Sequence, residues 1–213
     1  MGTRRWPCAI FDLDGTVADT VGLIIASYDH ALNSVLGVRV EESLVRSWIG
    51  QTLWDVFGEL WPEHADELIA TYRAWNEANA PSMITAYPGI PELVDELAAA
   101  GIASGIATSK GRVQAEVALR VGGIGLPITV AAEDTTIHKP NPAPLILARE
   151  RLGMTDVPTV YVGDAVVDIQ AAKAAGLDAI AVTWGAGDPD ALAAAAPTAT
   201  AANADELRAL LLG

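Results

Sequence analysis

Apolar residues along this chain fall into two kinds of run. Short stretches rich in Val, Ile and Ala recur at about 8–12, 102–107, 128–131, 158–163 and 178–182. Helix-length segments with apolar positions three and four apart lie between them, at 91–100, 113–121, 144–152 and 166–175. Several of the short runs are apolar throughout, as strands covered on both faces by helices are, and the alternation of strand and helix is the order of βαβ units. The pattern predicts an α/β fold, a doubly wound parallel (Rossmann-like) sheet. Gly101, Gly122, Gly153 and Gly176 follow the helical segments as candidate C-terminal caps.

From about 20 to 81 the alternation stops and helix follows helix, at 21–36, 53–60 and 63–79, with no strand-length β-branched run between them. Such a block, entering directly after the first strand, predicts a helical cap domain over 19–84 inserted into a core of 1–18 and 85–213, with hinges near 18–20 and 81–88. Trp48, Trp54, Trp61 and Trp75 lie in it and are expected to pack a small bundle. The stretch 191–204 is rich in Ala and is taken as loop and short helix before a terminal helix at 204–212.

Charge and cysteine content narrow the function. Thirteen Lys and Arg against 27 Asp and Glu leave a net charge of −14, which repels phosphate backbones and anionic bilayers, so neither nucleic acid nor membrane is an expected partner. The single cysteine, Cys8, sits in an apolar run and suits a buried thiol in a reducing compartment, so the expected location is the cytoplasm. Arg4-Arg5 opens no export signal, because the apolar stretch behind it meets Asp12 and Asp14 too soon. No uncharged stretch reaches the roughly 18 residues of a membrane span.

Chemistry gathers where strands end. Asp12 and Asp14, in Asp12-Leu13-Asp14-Gly15-Thr16, are two apart at the end of the first strand, so on an extended chain they point the same way. The carboxyl edge of an open α/β sheet is its ligand edge, and Gly15 permits a sharp turn just beyond it. Two carboxylates so close stay ionised only with a cation between them, and an all-oxygen donor set points to Mg²⁺. A calcium loop is excluded, since neither the acidic residue three further on nor the terminal Glu stands at the right offset. Gly163-Asp164 ends the fourth strand at the same edge, with Asp168 one helical turn on. Thr108-Ser109-Lys110 ends the second strand ahead of a helix N-terminus suited to an anion. His138-Lys139-Pro140 holds one lysine able to keep Asp12 ionised and to neutralise charge on a transferred phosphoryl group.

In this order, Asp12-x-Asp14-Gly15-Thr16, Thr108, Lys139-Pro140 and Gly163-Asp164 with Asp168 resemble the four motifs of the haloacid dehalogenase superfamily, phosphatase branch, and within it the phosphoglycolate phosphatase-like group with a helical cap. Cap stretches Ile24-Ile25-Ala26-Ser27-Tyr28, Ile49-Gly50 and Thr71-Tyr72-Arg73 are similar to that group's bacterial pyrophosphatases. The resemblance implies a Mg²⁺-dependent phosphatase acting on a small phosphorylated metabolite, phosphoglycolate-like, as monomer or homodimer. It makes Asp12 the nucleophile that forms an aspartyl-phosphate and Asp14 the acid and base. It gives Mg²⁺ to Asp12, the Asp14 carbonyl and Asp164. The phosphoryl group goes to Thr108, Ser109 and Lys139, with Gly15, Lys110 and cap residue Gln51 also facing substrate and Asp168 orienting from behind.

Two positions depart from the pattern: Ala165 stands where relatives often carry a small polar residue, and Gln51 offers no cation to an anionic leaving group. The same site would serve an inorganic pyrophosphatase or a sugar-phosphate mutase. A receiver domain needs no helical insertion, and halide displacement would leave Asp14 and Asp164 idle. Trp184-Gly185-Ala186-Gly187 is accounted for as a turn, and His30, His64 and His138 as surface or loop residues.

Overall fold

The computed structural model describes residues 5–213, so Arg4 of the arginine pair and the first four residues of the 1–18 segment lie outside the described residues. Six strands form one parallel sheet: β1 (Cys8–Phe11), β4 (Ala103–Ala107), β5 (Ile128–Val130), β6 (Thr159–Gly163), β7 (Asp178–Val182) and β8 (Ala199–Ala201), in the order β5-β4-β1-β6-β7-β8. Alternation along β1 explains the layering. Ala9 and Phe11 enter an apolar cluster with Leu93 and Leu97 of α5 (Ile90–Ala99), Ala115 and Leu119 of α6 (Arg112–Gly122), and Leu207 of α10 (Ala204–Leu212). Cys8, buried and free, and Ile10 face the opposite cluster, with Leu145 of α7 (Ala143–Arg151), Ile169 of α8 (Val166–Ala174) and Leu192 of α9 (Pro189–Ala194). The doubly wound α/β sandwich predicted from the pattern is the observed architecture.

Between β1 and β4 the chain builds α1 (Val21–Leu36), α2 (Glu42–Trp48), α3 (Leu53–Leu60) and α4 (Ala65–Met83) around a third cluster. Its centre is aromatic: Tyr28 lies 5.0–5.2 Å, centroid to centroid, from Trp48, Phe57 and Tyr72. Trp48 and Trp61 join this cluster as expected, but Trp54 is 58% exposed, and Trp75 packs toward the sheet's cluster, stacked with His30. Where the chain enters and leaves this block, a two-residue antiparallel ribbon ties β2 (Ala18–Asp19) to β3 (Thr85–Ala86).

Four elements differ from the expectation, each for a local reason. α2 has fewer than two turns, too little periodicity to stand out. α4 continues past Pro81, whose missing N–H falls in its last turn. β8 is Ala-Thr-Ala at the sheet's edge, a strand by pairing with β7 rather than by composition. The cap of α6 is Gly123, in the left-handed region at φ 65°, not Gly122. Among the described residues no helix is long and apolar enough to cross a membrane.

Candidate active site

The three central strands β4, β1 and β6 end side by side, and the residues that follow them, Thr108, Asp12 and Asp164, form the floor of the candidate site. Asp12 continues the ladder for one more bond, its N–H donating to the Val162 carbonyl at 2.8 Å. Beyond it the chain closes a tight loop, with the Val17 and Ala18 N–H groups both bonded to the Leu13 carbonyl. Asp14 thereby leaves the strand, and the two carboxylates turn to different partners. Lys139 Nζ donates to Asp12 Oδ1 at 2.9 Å, while Asp14 Oδ1 accepts from Lys110 Nζ at 2.8 Å and Thr20 Oγ1 at 2.7 Å.

Lys139 is buried and its three protons are all spent, on Asp12, on Asp168 Oδ1 at 2.7 Å and on the Tyr161 hydroxyl at 3.1 Å. Tyr161 in turn donates to the Ala107 carbonyl at 2.8 Å, so one phenol links the lysine to the residue before Thr108. Asp168 also accepts from the Ala165 N–H at 2.9 Å, capping α8 from within its first turn. Asp164 accepts from Thr16 Oγ1 at 2.9 Å and from the Ala186 N–H at 2.8 Å.

Charge does not balance in this buried group. Asp12, Asp164 and Asp168 offer carboxylate oxygens all within 4.8 Å of one another, against the single ammonium of Lys139. Three buried carboxylates and one cation leave two negative charges uncompensated, which is the charge of one divalent cation. The imbalance raises the carboxyl groups of Asp12 and Asp164 out of their ordinary range. Burial, with repulsion from Asp168 and Asp14 outweighing Lys139, pushes Asp12 up to about 7; burial and the charges of Asp168 and Asp12 push Asp164 up to about 8. Lys139 is held charged well above its ordinary range, by Asp12 and Asp168 against the effect of burial. The donor set is all oxygen, which fits a hard cation such as Mg²⁺.

Two glycines make room for Asp164. A Cβ on Gly15, whose φ is 76°, or on Gly185 would lie 2.2 Å from Asp164 Oδ2. The loop Trp184-Gly185-Ala186-Gly187 is therefore part of the site, wrapped around this carboxylate and anchored by Trp184 Nε1 donating to the Thr16 carbonyl at 3.0 Å. The turn reading missed this; two glycines after a strand's carboxyl end at the ligand rim were the available signal. Tyr161 was missed because, in the middle of an apolar strand, it is indistinguishable from a core aromatic.

A cavity of about 350 Å³ opens above the floor, between the sheet's edge and the helical block. Of the predicted substrate-facing residues, Gln51, Thr108, Ser109 and Lys110 line it, with Asp12 and Asp14. Gly15 and Lys139 do not: Gly15 is pressed on Asp164, and Lys139 lies beneath Asp12. Lys110 is committed to Asp14, and Gln51 spends its Nε2 on the Ser47 carbonyl at 3.1 Å. The helical block contributes Tyr28, Trp54, Tyr72, Arg73 and Asn76, and His138, in a loop as expected, lines the same space.

Residues 9–182 match the family model of haloacid dehalogenase-like hydrolases. The chain belongs to that family. This hydrolase is 37% identical over 186 residues, 86% of each chain, to pyrophosphatase PpaX of Bacillus velezensis, and 35% identical, over 82% of each, to PpaX of Halalkalibacterium halodurans. A solved hydrolase from Pseudomonas syringae superposes with a TM-score of 0.85 at 25% identity, over 94% of this chain and 95% of its own. A predicted phosphoglycolate phosphatase of Haemophilus somnus gives the same score, 0.85, at 24% identity over 98% and 99%, a likeness of fold alone. The hydrolase is of the phosphatase type.

Proposed function

We propose that the hydrolase is a Mg²⁺-dependent phosphatase of small phosphorylated metabolites that works through an aspartyl-phosphate on Asp12. The observation that carries this reading is the uncompensated buried charge: Asp12 and Asp164 share space that one lysine cannot neutralise. Asp12, Asp164 and the backbone of Asp14 would hold the metal, which when bound supplies charge neutralisation for the carboxylates and the phosphoryl oxygens.

The chain's own groups divide the remaining work. Lys139 fixes one oxygen of Asp12, leaving Oδ2, which has no hydrogen-bond partner among the described residues, to attack phosphorus in line. The bond from phosphorus to the leaving oxygen breaks as Asp14 gives that oxygen a proton. Asp14 then takes a proton from the water that hydrolyses the phosphoaspartate and releases phosphate. Thr20 and Lys110 hold Asp14 for both steps. Thr108 and Ser109, on the cavity wall beside Asp12, receive the phosphoryl oxygens.

The identity to PpaX proteins supports inorganic pyrophosphate as a second substrate reading. In either, residues 19–84 act as a cap over a core of 1–18 and 85–213, in a cytoplasmic monomer or homodimer that has no nucleic-acid or membrane partner. The test is phosphate release over a metabolite panel with and without Mg²⁺. Activity insensitive to EDTA, or retained in Asp12→Asn, overturns the reading, and isomerised product without release points to a mutase.

A further inference from the structure

The cap wall contains a polar group that the reaction does not use. Ser27 of α1 and Asn76 of α4, 0% and 2% exposed, meet inside an otherwise apolar, aromatic bundle. The Ser27 hydroxyl donates its only proton to the Leu23 carbonyl at 2.6 Å, so toward its neighbours it can only accept. It accepts from Asn76 Nδ2 at 3.0 Å. This arrangement fixes the amide: Nδ2 must face Ser27, because an oxygen there would meet no proton. Asn76 Oδ1 then takes no hydrogen bond among the described residues, and Asn76 lines the cavity that Asp12 and Asp14 floor. On the wall of that cavity, an acceptor held in place by Ser27 and given no protein donor is available to a donor on the ligand.

We propose that Asn76 Oδ1 determines specificity by accepting a hydrogen bond from the leaving group, so that the substrates are phosphorylated compounds whose leaving group carries an O–H or N–H donor. This rests on the phosphatase reading and narrows it. A phosphate ester of a hydroxylated alcohol meets the requirement, and so does monoprotonated pyrophosphate. Phosphoglycolate does not, since its leaving group ends in a carboxylate that offers acceptors only. Sites built to bond a substrate donor discriminate strongly against the analogue that lacks it.

The matched pair is 2-hydroxyethyl phosphate and ethyl phosphate, which differ by one hydroxyl, measured beside pyrophosphate and phosphoglycolate with Mg²⁺ present. The wild-type chain is expected to favour 2-hydroxyethyl over ethyl phosphate by about tenfold in kcat/KM, the size of one net hydrogen bond. Asn76→Ala should bring that ratio close to one, and Ser27→Ala, which frees the amide to turn over, should give an intermediate ratio. Pyrophosphate and 2-hydroxyethyl phosphate should both outrun phosphoglycolate, and the faster of the two identifies the source of the donor. Equal rates on the matched pair in the wild-type chain, an unchanged ratio in Asn76→Ala, or phosphoglycolate as the best substrate overturns the assignment. The wild-type ratio decides even if Asn76→Ala does not fold. Turnover of ethyl phosphate without preference defeats the role of Asn76 alone, whereas no phosphate release from any of the four compounds defeats the phosphatase reading with it.

Discussion

At the carboxyl edge of the sheet, Asp12, Asp164 and Asp168 crowd one ammonium, while across the same cavity Trp48, Phe57 and Tyr72 pack ring against ring around Tyr28, with Ser27 and Asn76 paired in the same bundle. The first region keeps charges where burial opposes them. The second satisfies nearly everything it buries and leaves one amide oxygen over. In the proposed reading, the crowded charge at the sheet's edge serves a step common to all substrates, and the spare acceptor serves to choose among them. If the division is real, changes at the edge alter turnover of every substrate alike, and changes in the cap alter stability or substrate order.

The largest effect falls on Asp12. Asp12→Asn keeps the shape of the site and removes the proposed nucleophile, and turnover should fall by roughly 10,000-fold or more for every phosphate ester. A steady-state assay on two unrelated esters checks it; a loss confined to one of them breaks the division.

The same crowded charge predicts how stability depends on pH when metal is chelated. Asp12 and Asp164 have folded-state values raised to about 7 and about 8 by burial first, then by the carboxylates beside them, with Lys139 opposing on Asp12 and Thr16 and Ala186 on Asp164. The folded chain therefore binds more protons than the unfolded chain from the ordinary carboxylate range up to about pH 8, and stability falls as pH rises through that window. In EDTA, melting should come earlier at pH 8 than at pH 6, Mg²⁺ should restore more at pH 8, and Asp164→Asn should melt later than wild type at pH 8 while losing activity. A flat profile in EDTA would place the charges elsewhere.

In the helical block, Phe57 is 0% exposed and touches Tyr28, Trp61 and Tyr72. Phe57→Ala should cost about 3–5 kcal/mol of stability, measured by denaturation, by opening a cavity in the bundle. Substrate order should shift with it, whereas the metal requirement should not.

How much of this was legible follows the same division. The five strands at the predicted places, the four converging loops and the pairing of Lys139 with Asp12 are set by patterns local in sequence: apolar runs, and chemistry directly after a strand's end. What escaped depends on contacts between distant segments. β8 is a strand only because β7 lies beside it, and Tyr161 looks like any core aromatic until Lys139 is placed 3.1 Å from its hydroxyl. Asn76 looks like a surface helix residue until Ser27, 49 positions earlier, takes its amide. Gly185 looks like a turn until Asp164 is found filling its missing side chain.

That last contact gives a finer test of the edge. Gly185→Ala places a methyl 2.2 Å from Asp164 Oδ2 and 2.4 Å from the Gly15 carbonyl, so the carboxylate must shift. The Mg²⁺ concentration for half-maximal activity should rise about 10–100-fold, the usual cost of disturbing a ligand's support, while turnover at saturating Mg²⁺ falls less. An unchanged titration would remove Asp164 from the proposed metal site.

The smallest effect is expected at Tyr161, where the two kinds of accounting meet. Tyr161→Phe removes one oxygen, leaving the Ala107 carbonyl without its donor and one Lys139 proton without its acceptor. The orphaned carbonyl should cost about 1–3 kcal/mol of stability. The freed ammonium proton remains close to Asp12 and Asp168, so the lysine stays charged and the loss in turnover should be modest, with no change in relative rates across substrates. A change in substrate order would mean that Tyr161 reaches the leaving group's side of the cavity, from which the structure separates it by Lys139 and Asp12.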